Sequence, residues 1–229
     1  RCLDAMLMSR SIRRAKQVVT DSNSTKSEVI RYFATEQDKI TTIFLAAKHQ
    51  KDMLCANHQT HLSPRKKPYF LFVGTIEPRK NLTTLIKAYQ ALPAEIRQAY
   101  ELVIVGAQGW DDAPGVAANP VGLTESIQWL GYVSEPDLMR LYQGATCLVL
   151  PSFYEGFGLP ILEAQQFGVP VIASNTSAMP EVMGAGGLLI DPYSVESMQQ
   201  ALQRLCTDPD LKAELAHKAV SNVKKFSWQ

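Results

Sequence analysis

An α/β fold built on a doubly wound parallel sheet is what this sequence predicts, and three observations predict it. From Pro68 onward, short apolar runs alternate with longer amphipathic stretches almost to the end of the chain, the pattern of strands joined by crossover helices. The runs are continuous rather than alternating, as in Tyr69-Phe70-Leu71-Phe72-Val73 and Thr146-Cys147-Leu148-Val149-Leu150, which is how strands covered on both faces read. Two of them open into glycine-bearing turns that lead into helices. In an open α/β sheet such turns lie at the carboxyl edge, where ligands bind.

Taken in order, residues 1–46 read as helix (Leu3 to Ala15), strand (Gln17 to Thr20), helix (Lys26 to Phe33) and strand (Thr41 to Ala46). Ser24 or Thr25 is the expected N-cap of the second helix, with Glu28 as capping-box partner. Two β/α steps are too few for a domain, so this piece reads as the end of an amino-terminal one. The sequence opens on Arg1 rather than Met, and a fragment is expected. Arg1, Arg10, Arg13, Arg14 and Lys16 stand against Asp4 alone, a solvated face in preference to a contact for anionic lipid.

Residues 47–67 are polar, hold Pro64 and Arg65-Lys66-Lys67, and read as a linker. His49, Asp52, Cys55, His58 and His61 recur at every third position. On a helix that step turns about 300°, so Cys55, His58 and His61 fan over about 120°, and an exposed cluster is the preferred reading over zinc.

The domain at 68–229 follows. Its expected strands are Tyr69 to Val73, Leu102 to Val105, Ile127 to Leu130, Cys147 to Leu150, Val171 to Ala173 and Gly187 to Ile190. The expected helices are Leu82 to Leu92, Asp137 to Gly144, Leu159 to Phe167, Pro180 to Met183, Val195 to Cys206 and Asp210 to Lys225. Asn81 is the expected cap of the first, Pro93 its stop, and Ser134 with Asp137 opens the second.

Composition removes several classes of function. With 23 Lys and Arg against 22 Asp and Glu, no global field recommends nucleic acid as a partner. No apolar run approaches the roughly 18 residues that span a membrane, and no signal peptide is evident, so a cytoplasmic protein is expected. Cys2, Cys55, Cys147 and Cys206 are scattered without a C-x-x-C pair, and reduced thiols are expected.

Two stretches carry the chemistry. Glu155-Gly156-Phe157-Gly158-Leu159-Pro160-Ile161-Leu162-Glu163 brackets a glycine-hinged turn with two carboxylates and enters a helix whose free N–H groups favour an anion. Glu163 lies inside that helix, where it can accept from sugar hydroxyls, and Glu155 stands at its mouth. Gly74-Thr75-Ile76-Glu77-Pro78-Arg79-Lys80-Asn81 repeats the strand-to-helix geometry and supplies cations for a phosphate, without being a Walker loop. Tyr132 and Val133 form a turn that serves equally as a plain connection or as a flat face for a base. Gly106-Ala107-Gln108-Gly109 lacks the third glycine of a dinucleotide fingerprint, and Asp208-Pro209-Asp210 reads as a helix cap rather than a metal site.

Together with Gly168-Val169-Pro170-Val171-Ile172-Ala173, these two stretches resemble glycosyltransferase family 4, the retaining "group 1" glycosyltransferases of GT-B fold, for which Glu-x7-Glu is a specific mark. The resemblance covers residues 68–206 closely and Val18 to Phe33 more loosely. It implies a Rossmann-like GT-B carboxyl-terminal domain in which Lys80 holds the donor pyrophosphate, Glu163 the ribose, and Tyr132 and Val133 the base. It also implies that Glu155 and the backbone of Gly156, Phe157, Gly158 and Leu159 meet the donor sugar and its phosphate, with Lys80, Arg79 and Glu155 as the catalytic set. Many members have Arg directly after the glycine at Gly74; this chain has Thr75, and Arg79 becomes the candidate for that charge.

The implied reaction moves a hexose from a nucleotide diphosphate sugar to a sugar or lipid-linked hydroxyl acceptor, without metal or cofactor. Mannose is favoured by the Glu77-Pro78-Arg79-Lys80-Asn81 variant, which is similar to bacterial mannosyl and other polysaccharide transferases. The implied place is cytoplasmic, with peripheral contact at the inner face of the membrane through a domain not in this sequence. A sugar-nucleotide epimerase of the same fold and a non-catalytic nucleotide-sugar-binding module are the alternatives.

Overall fold

The computed structural model describes residues 2–47, 62–109 and 125–228, with side chains from residue 7 onward. The metal-like cluster between His49 and His61 lies outside the described residues.

The amino-terminal piece consists of α1 (Cys2–Arg14), β1 (Val18–Thr20), α2 (Asn23–Phe33) and β2 (Ile40–Thr42). β1 and β2 pair in parallel, Val18 opposite Ile40, as a sheet of two strands. The N-cap of α2 is Ser22, not Ser24 or Thr25: its backbone is extended and its Oγ accepts from Thr25 N–H. Glu28 does not close a capping box; its carboxylate accepts from Tyr154 O–H at 2.7 Å. The last strand stops at Thr42, short of Ala46, where pairing with β1 ends.

The main domain runs β3 (Tyr69–Val73), α3 (Leu82–Gln90), α4 (Ala94–Ala99), β4 (Glu101–Val105), β5 (Ile127–Trp129) and α5 (Glu135–Gly144). It continues with β6 (Cys147–Leu150), α6 (Leu159–Gln166), β7 (Val171–Ser174), α7 (Met179–Met183), β8 (Gly187–Ile190), α8 (Val195–Thr207) and α9 (Pro209–Val223). Among the α-helices of the described residues, α4 is the one absent from the sequence reading. α3 ends at Gln90, so Pro93 opens α4 as its N-cap instead of stopping α3.

All pairings in this sheet are parallel, in the order β5-β4-β3-β6-β7-β8. Successive strands are therefore laid down in one direction from β3 to β5 and in the other from β6 to β8, which makes the β3–β6 boundary the topological switch point of a doubly wound fold. Each side chain of β3 is buried: Tyr69, Leu71 and Val73 face the layer of α5, α6 and α7, while Phe70 and Phe72 face that of α3 and α8. This two-sided burial is the reason the strands read as unbroken apolar runs. Ser134 caps α5 by accepting from Asp137 N–H, and Asp208 caps α9 by accepting from Leu211 N–H.

Asn81 is no side-chain cap. Its φ is 57°, and its amide donates to the carbonyls of Pro151 (3.0 Å) and Pro192 (2.7 Å), tying together the turns after β3, β6 and β8. Gly106 and Gly109 serve close backbone approach: a Cβ on Gly106 would stand 1.9 Å from the Gly74 carbonyl, and one on Gly109 2.6 Å from that of Ile76. The turns after β3 and β4 thus pack backbone to backbone, with Ile76 N–H donating to Ala107 O and Gly109 N–H to Ile76 O.

The two parts meet at the carboxyl edge. Ser22 Oγ and Thr25 Oγ1 lie 2.7 and 3.3 Å from the Gly156 carbonyl, and the Glu181 carboxylate accepts from the N–H groups of Asn23 and Ser24. The described end of the linker is held too: Leu62 N–H donates to Asp137, and Lys67 to the carbonyl of Gln98.

Candidate active site

The site is built on the turns leaving the two central strands. β3 passes into Gly74 (φ 154°), where a Cβ would lie 3.3 Å from Lys80 Cε; the missing side chain leaves the space Lys80 occupies. A single 3-10 turn, Pro78–Lys80, brings Arg79 and Lys80 to the sheet edge. Phe153 N–H donates to the Arg79 carbonyl at 2.9 Å, which joins this turn to the one after β6.

Glu155 is the centre of the cluster. Its Oε1 accepts from Lys80 Nζ at 2.7 Å and from Ser152 Oγ at 2.6 Å, and its Oε2 accepts from Arg79 Nη1 at 2.9 Å. Arg79 also donates to the Tyr154 carbonyl and to the Glu77 carboxylate. The sequence places Glu155 at the mouth of the turn; the structure instead buries it to 8% exposure, because three donors from two loops converge on it.

Burial pushes the Glu155 carboxyl up, and the Lys80 ammonium with the hydrogen bonds from Lys80, Ser152 and Arg79 outweighs that, leaving it below its usual range. Burial also works against the Arg79 charge, and the hydrogen bonds and charges of Glu155 and Glu77 raise its pKa above the ordinary value. Two cations face two carboxylates. Lys80 has three N–H donors, so it can keep Glu155 and still donate to an incoming anion.

The second carboxylate of the motif, Glu163, is half-buried in α6 and accepts from Tyr142 O–H at 2.7 Å. Tyr142 is fully buried, and desolvation followed by the nearby Glu163 charge raises its pKa well above the ordinary value. Gly158 (φ 102°) is the N-cap of α6, with Leu159 half-buried behind it and proline in the first turn. Phe157 points inward, 4% exposed, with the rings of Phe44 and Phe226 at 6.4 and 6.0 Å, so only its backbone can face a ligand. The Gly156 carbonyl is turned to α2.

Thr75 is exposed beside Gly74, and its side chain carries no charge. Tyr132 is 85% exposed in the turn after β5, with Val133 half-buried next to it. The structure therefore brings Gly74, Arg79, Lys80 and Glu155 into one cluster, while Glu163 pairs with Tyr142 of α5 and Tyr132 and Val133 lie in the turn after β5. Sequence reasoning misses Ser152, Ser177, Glu77 and Tyr142. Glu77 sits inside a motif already singled out, whereas Ser177 Oγ accepts from Glu155 N–H across 22 positions, a contact with no local signal.

The family described as glycosyl transferases group 1 matches residues 56–226. The chain belongs to the group 1 glycosyl transferases. Among relatives, O-antigen chain mannosyltransferase B of Escherichia coli is 38% identical, over 96% of this chain and 59% of that protein. O-antigen chain mannosyltransferase RfbU of Salmonella typhimurium is 30% identical, over 89% and 55%. This group 1 chain thus spans little more than half the length of these relatives.

Among solved structures, Anabaena HepE in complex with UDP and glucose superposes with a TM-score of 0.79 at 18% identity, over 97% of this chain and 62% of that one. Sucrose-phosphate synthase from Thermosynechococcus elongatus gives 0.75 at 23% identity, over 98% and 57%. The fold of this group 1 glycosyl transferase is accordingly the Rossmann-like half of a GT-B enzyme, as the sequence leads one to expect. Among the described residues no helix is long and apolar enough to cross a membrane, and no group of three or more His, Cys, Asp or Glu side chains is placed to hold a metal.

Proposed function

We propose that this chain is the nucleotide-sugar-binding half of a retaining glycosyltransferase, which moves a hexose from a nucleotide diphosphate sugar to a hydroxyl acceptor in polysaccharide or glycolipid synthesis. The observation that carries the proposal is the cluster of Lys80, Arg79 and Glu155 at the switch point between β3 and β6, beside the amino end of α6. The relatives named as O-antigen mannosyltransferases favour mannose as the sugar.

In this reading Lys80, Arg79 and the N–H groups opening α6 receive the diphosphate and stabilise the charge it carries as it leaves. Glu163 takes the ribose, Tyr132 and Val133 the base, Gly74 and Thr75 line the phosphate path, and Glu155 with the backbone of Gly156 to Leu159 takes the sugar. Residues 1–46 form the end of the acceptor domain, 47–67 the linker and 68–229 the donor domain. The donor is a substrate, no metal or cofactor enters the scheme, and the protein works in the cytoplasm at the inner face of the membrane.

The test is a thermal-shift screen of the chain against nucleotides and nucleotide sugars, GDP-mannose and UDP-glucose among them, followed by product analysis with sugar and lipid-linked acceptors. Stabilisation by one nucleoside diphosphate and its sugar is the expected result, with glycosylated product when the full-length protein is used. Epimerised nucleotide sugar without acceptor would replace the reading by an epimerase, and binding without any turnover by the full-length protein would replace it by a binding module.

A further inference from the structure

Glu155 is held at each of its polar groups, and two serines outside both sequence motifs do part of the holding. Ser152, fully buried, donates from Oγ to Oε1 at 2.6 Å. Ser177 accepts from the Glu155 N–H at 3.0 Å, and the next residue, Ala178, sends its N–H toward the Glu155 carbonyl at 3.5 Å. Ser177 does this with φ at 52°, a left-handed conformation in a residue that has a Cβ. Such a backbone is sparsely populated outside glycine, asparagine and aspartate, and it persists where surrounding contacts over-determine it.

A carboxylate offers about four lone-pair directions. Described residues fill three: Lys80 and Ser152 on Oε1, and Arg79 on Oε2. One direction on Oε2 is left for a ligand hydroxyl. The two cations sit on different oxygens and could each draw the carboxylate toward themselves. Ser152 is the neutral donor that fixes its rotation, and Ser177 with Ala178 fixes the backbone from which it hangs.

From this geometry we infer that Ser152 and Ser177 are positioning residues, which aim Oε2 of Glu155 at one hydroxyl of the donor hexose and so set preference for the nucleotide sugar over the bare nucleoside diphosphate. This rests on the donor-site reading above. Neither serine touches the diphosphate in it, so the two ligands should respond differently to their removal.

The experiment measures Kd by calorimetry for GDP and GDP-mannose, or for UDP and UDP-glucose if the screen selects uridine, in the native chain, Ser152→Ala, Ser177→Gly, Glu155→Ala and the two double variants. Glycine suits φ 52° without strain, so Ser177→Gly removes the hydroxyl while leaving the backbone free to fold, and it covers the case in which Ser152→Ala fails to fold. Each serine variant is expected to lower the ratio of sugar-nucleotide to diphosphate affinity roughly three- to tenfold, with diphosphate affinity itself within about twofold of native. In the Glu155→Ala background neither serine change should lower the ratio further, as required of residues acting through Glu155. An equal loss for both ligands, an unchanged ratio, or an undiminished serine effect without Glu155 would overturn the inference while leaving the donor site standing. A native chain that binds no nucleotide would overturn both.

Discussion

At the amino edge of the six-stranded sheet, Arg65 donates to Glu101 at 3.0 Å and to Gln128 at 2.7 Å, and its guanidinium lies 5.9 Å from the centre of the Tyr69 ring. Its partners stand at the beginnings of β3 and β4 and within β5, so one cation stitches three strands and, with Tyr69, Lys66, Asp137 and Arg140, lines a cavity of about 400 Å3. At the carboxyl edge, Lys80 and Arg79 instead pair with a carboxylate on another loop, and no strand residue takes part. A cation paired to strands stabilises the sheet. A cation paired with a carboxylate at the ligand edge keeps donors that an incoming anion can take, so the two edges should respond differently to substitution.

The largest effect is expected at Lys80. Lys80→Ala should weaken nucleoside diphosphate binding by about 1.5 to 3 kcal/mol, the scale of a charge-assisted hydrogen bond, while binding of the parent nucleoside changes little. Calorimetry with both ligands checks this, and equal losses for the two would erase the distinction between the edges.

Next comes Gly106→Ala, whose Cβ would collide with the Gly74 carbonyl at the carboxyl edge. We expect a loss of about 1 to 3 kcal/mol in urea unfolding, with weaker diphosphate binding because the Lys80 turn is displaced. Native diphosphate affinity in a folded Gly106→Ala protein would show that the packing of the two turns does not shape the site.

Glu163→Ala leaves the buried Tyr142 hydroxyl without that acceptor and should cost about 1 to 3 kcal/mol of stability, against a smaller loss for Glu163→Gln, which keeps one acceptor. If Glu163 also takes the ribose, a 2′,3′-dideoxynucleotide binds more weakly than its parent to the native chain and nearly equally to Glu163→Ala. Identical discrimination by both proteins would remove the ribose role and leave Glu163 a structural partner.

At the amino edge, Arg65→Ala should lose about 1 to 2 kcal/mol of stability and leave diphosphate affinity untouched. A change in affinity of tenfold or more would break the comparison from its other side.

The smallest effect concerns acid. The Glu155 pKa is lowered in the folded chain, so its contribution to stability is present at neutral pH, shrinks below the usual carboxylate range and is gone once pH has fallen through the folded value. Between neutral pH and the acid limit of folding, the native chain should therefore lose more in Tm than Glu155→Gln. Parallel melting curves for the two proteins across that window would contradict the buried pairing.

The sequence by itself determined the sheet and the loops at its carboxyl edge. Continuous apolar runs mark strands buried on both faces, and β3, β6 and β8 lie where those runs lie, Tyr69–Val73, Cys147–Leu150 and Gly187–Ile190. Glycine and proline punctuate the turns, so the loops at the carboxyl edge were legible, as were the Ser134 and Asp208 caps, because these signals act within a few residues. Tertiary structure alone decided what the residues in those loops do to one another. Asn81 reads locally as a cap and instead ties three turns together; Ser22, not its neighbours, caps α2 while holding the Gly156 carbonyl; and Ser177 reaches Glu155 from the far side of α6 and β7. Such contacts form between segments that only the closing of the sheet brings together. The charge state and burial of Glu155 depend on that closure, since the partners that keep it ionised come from two turns more than 70 positions apart.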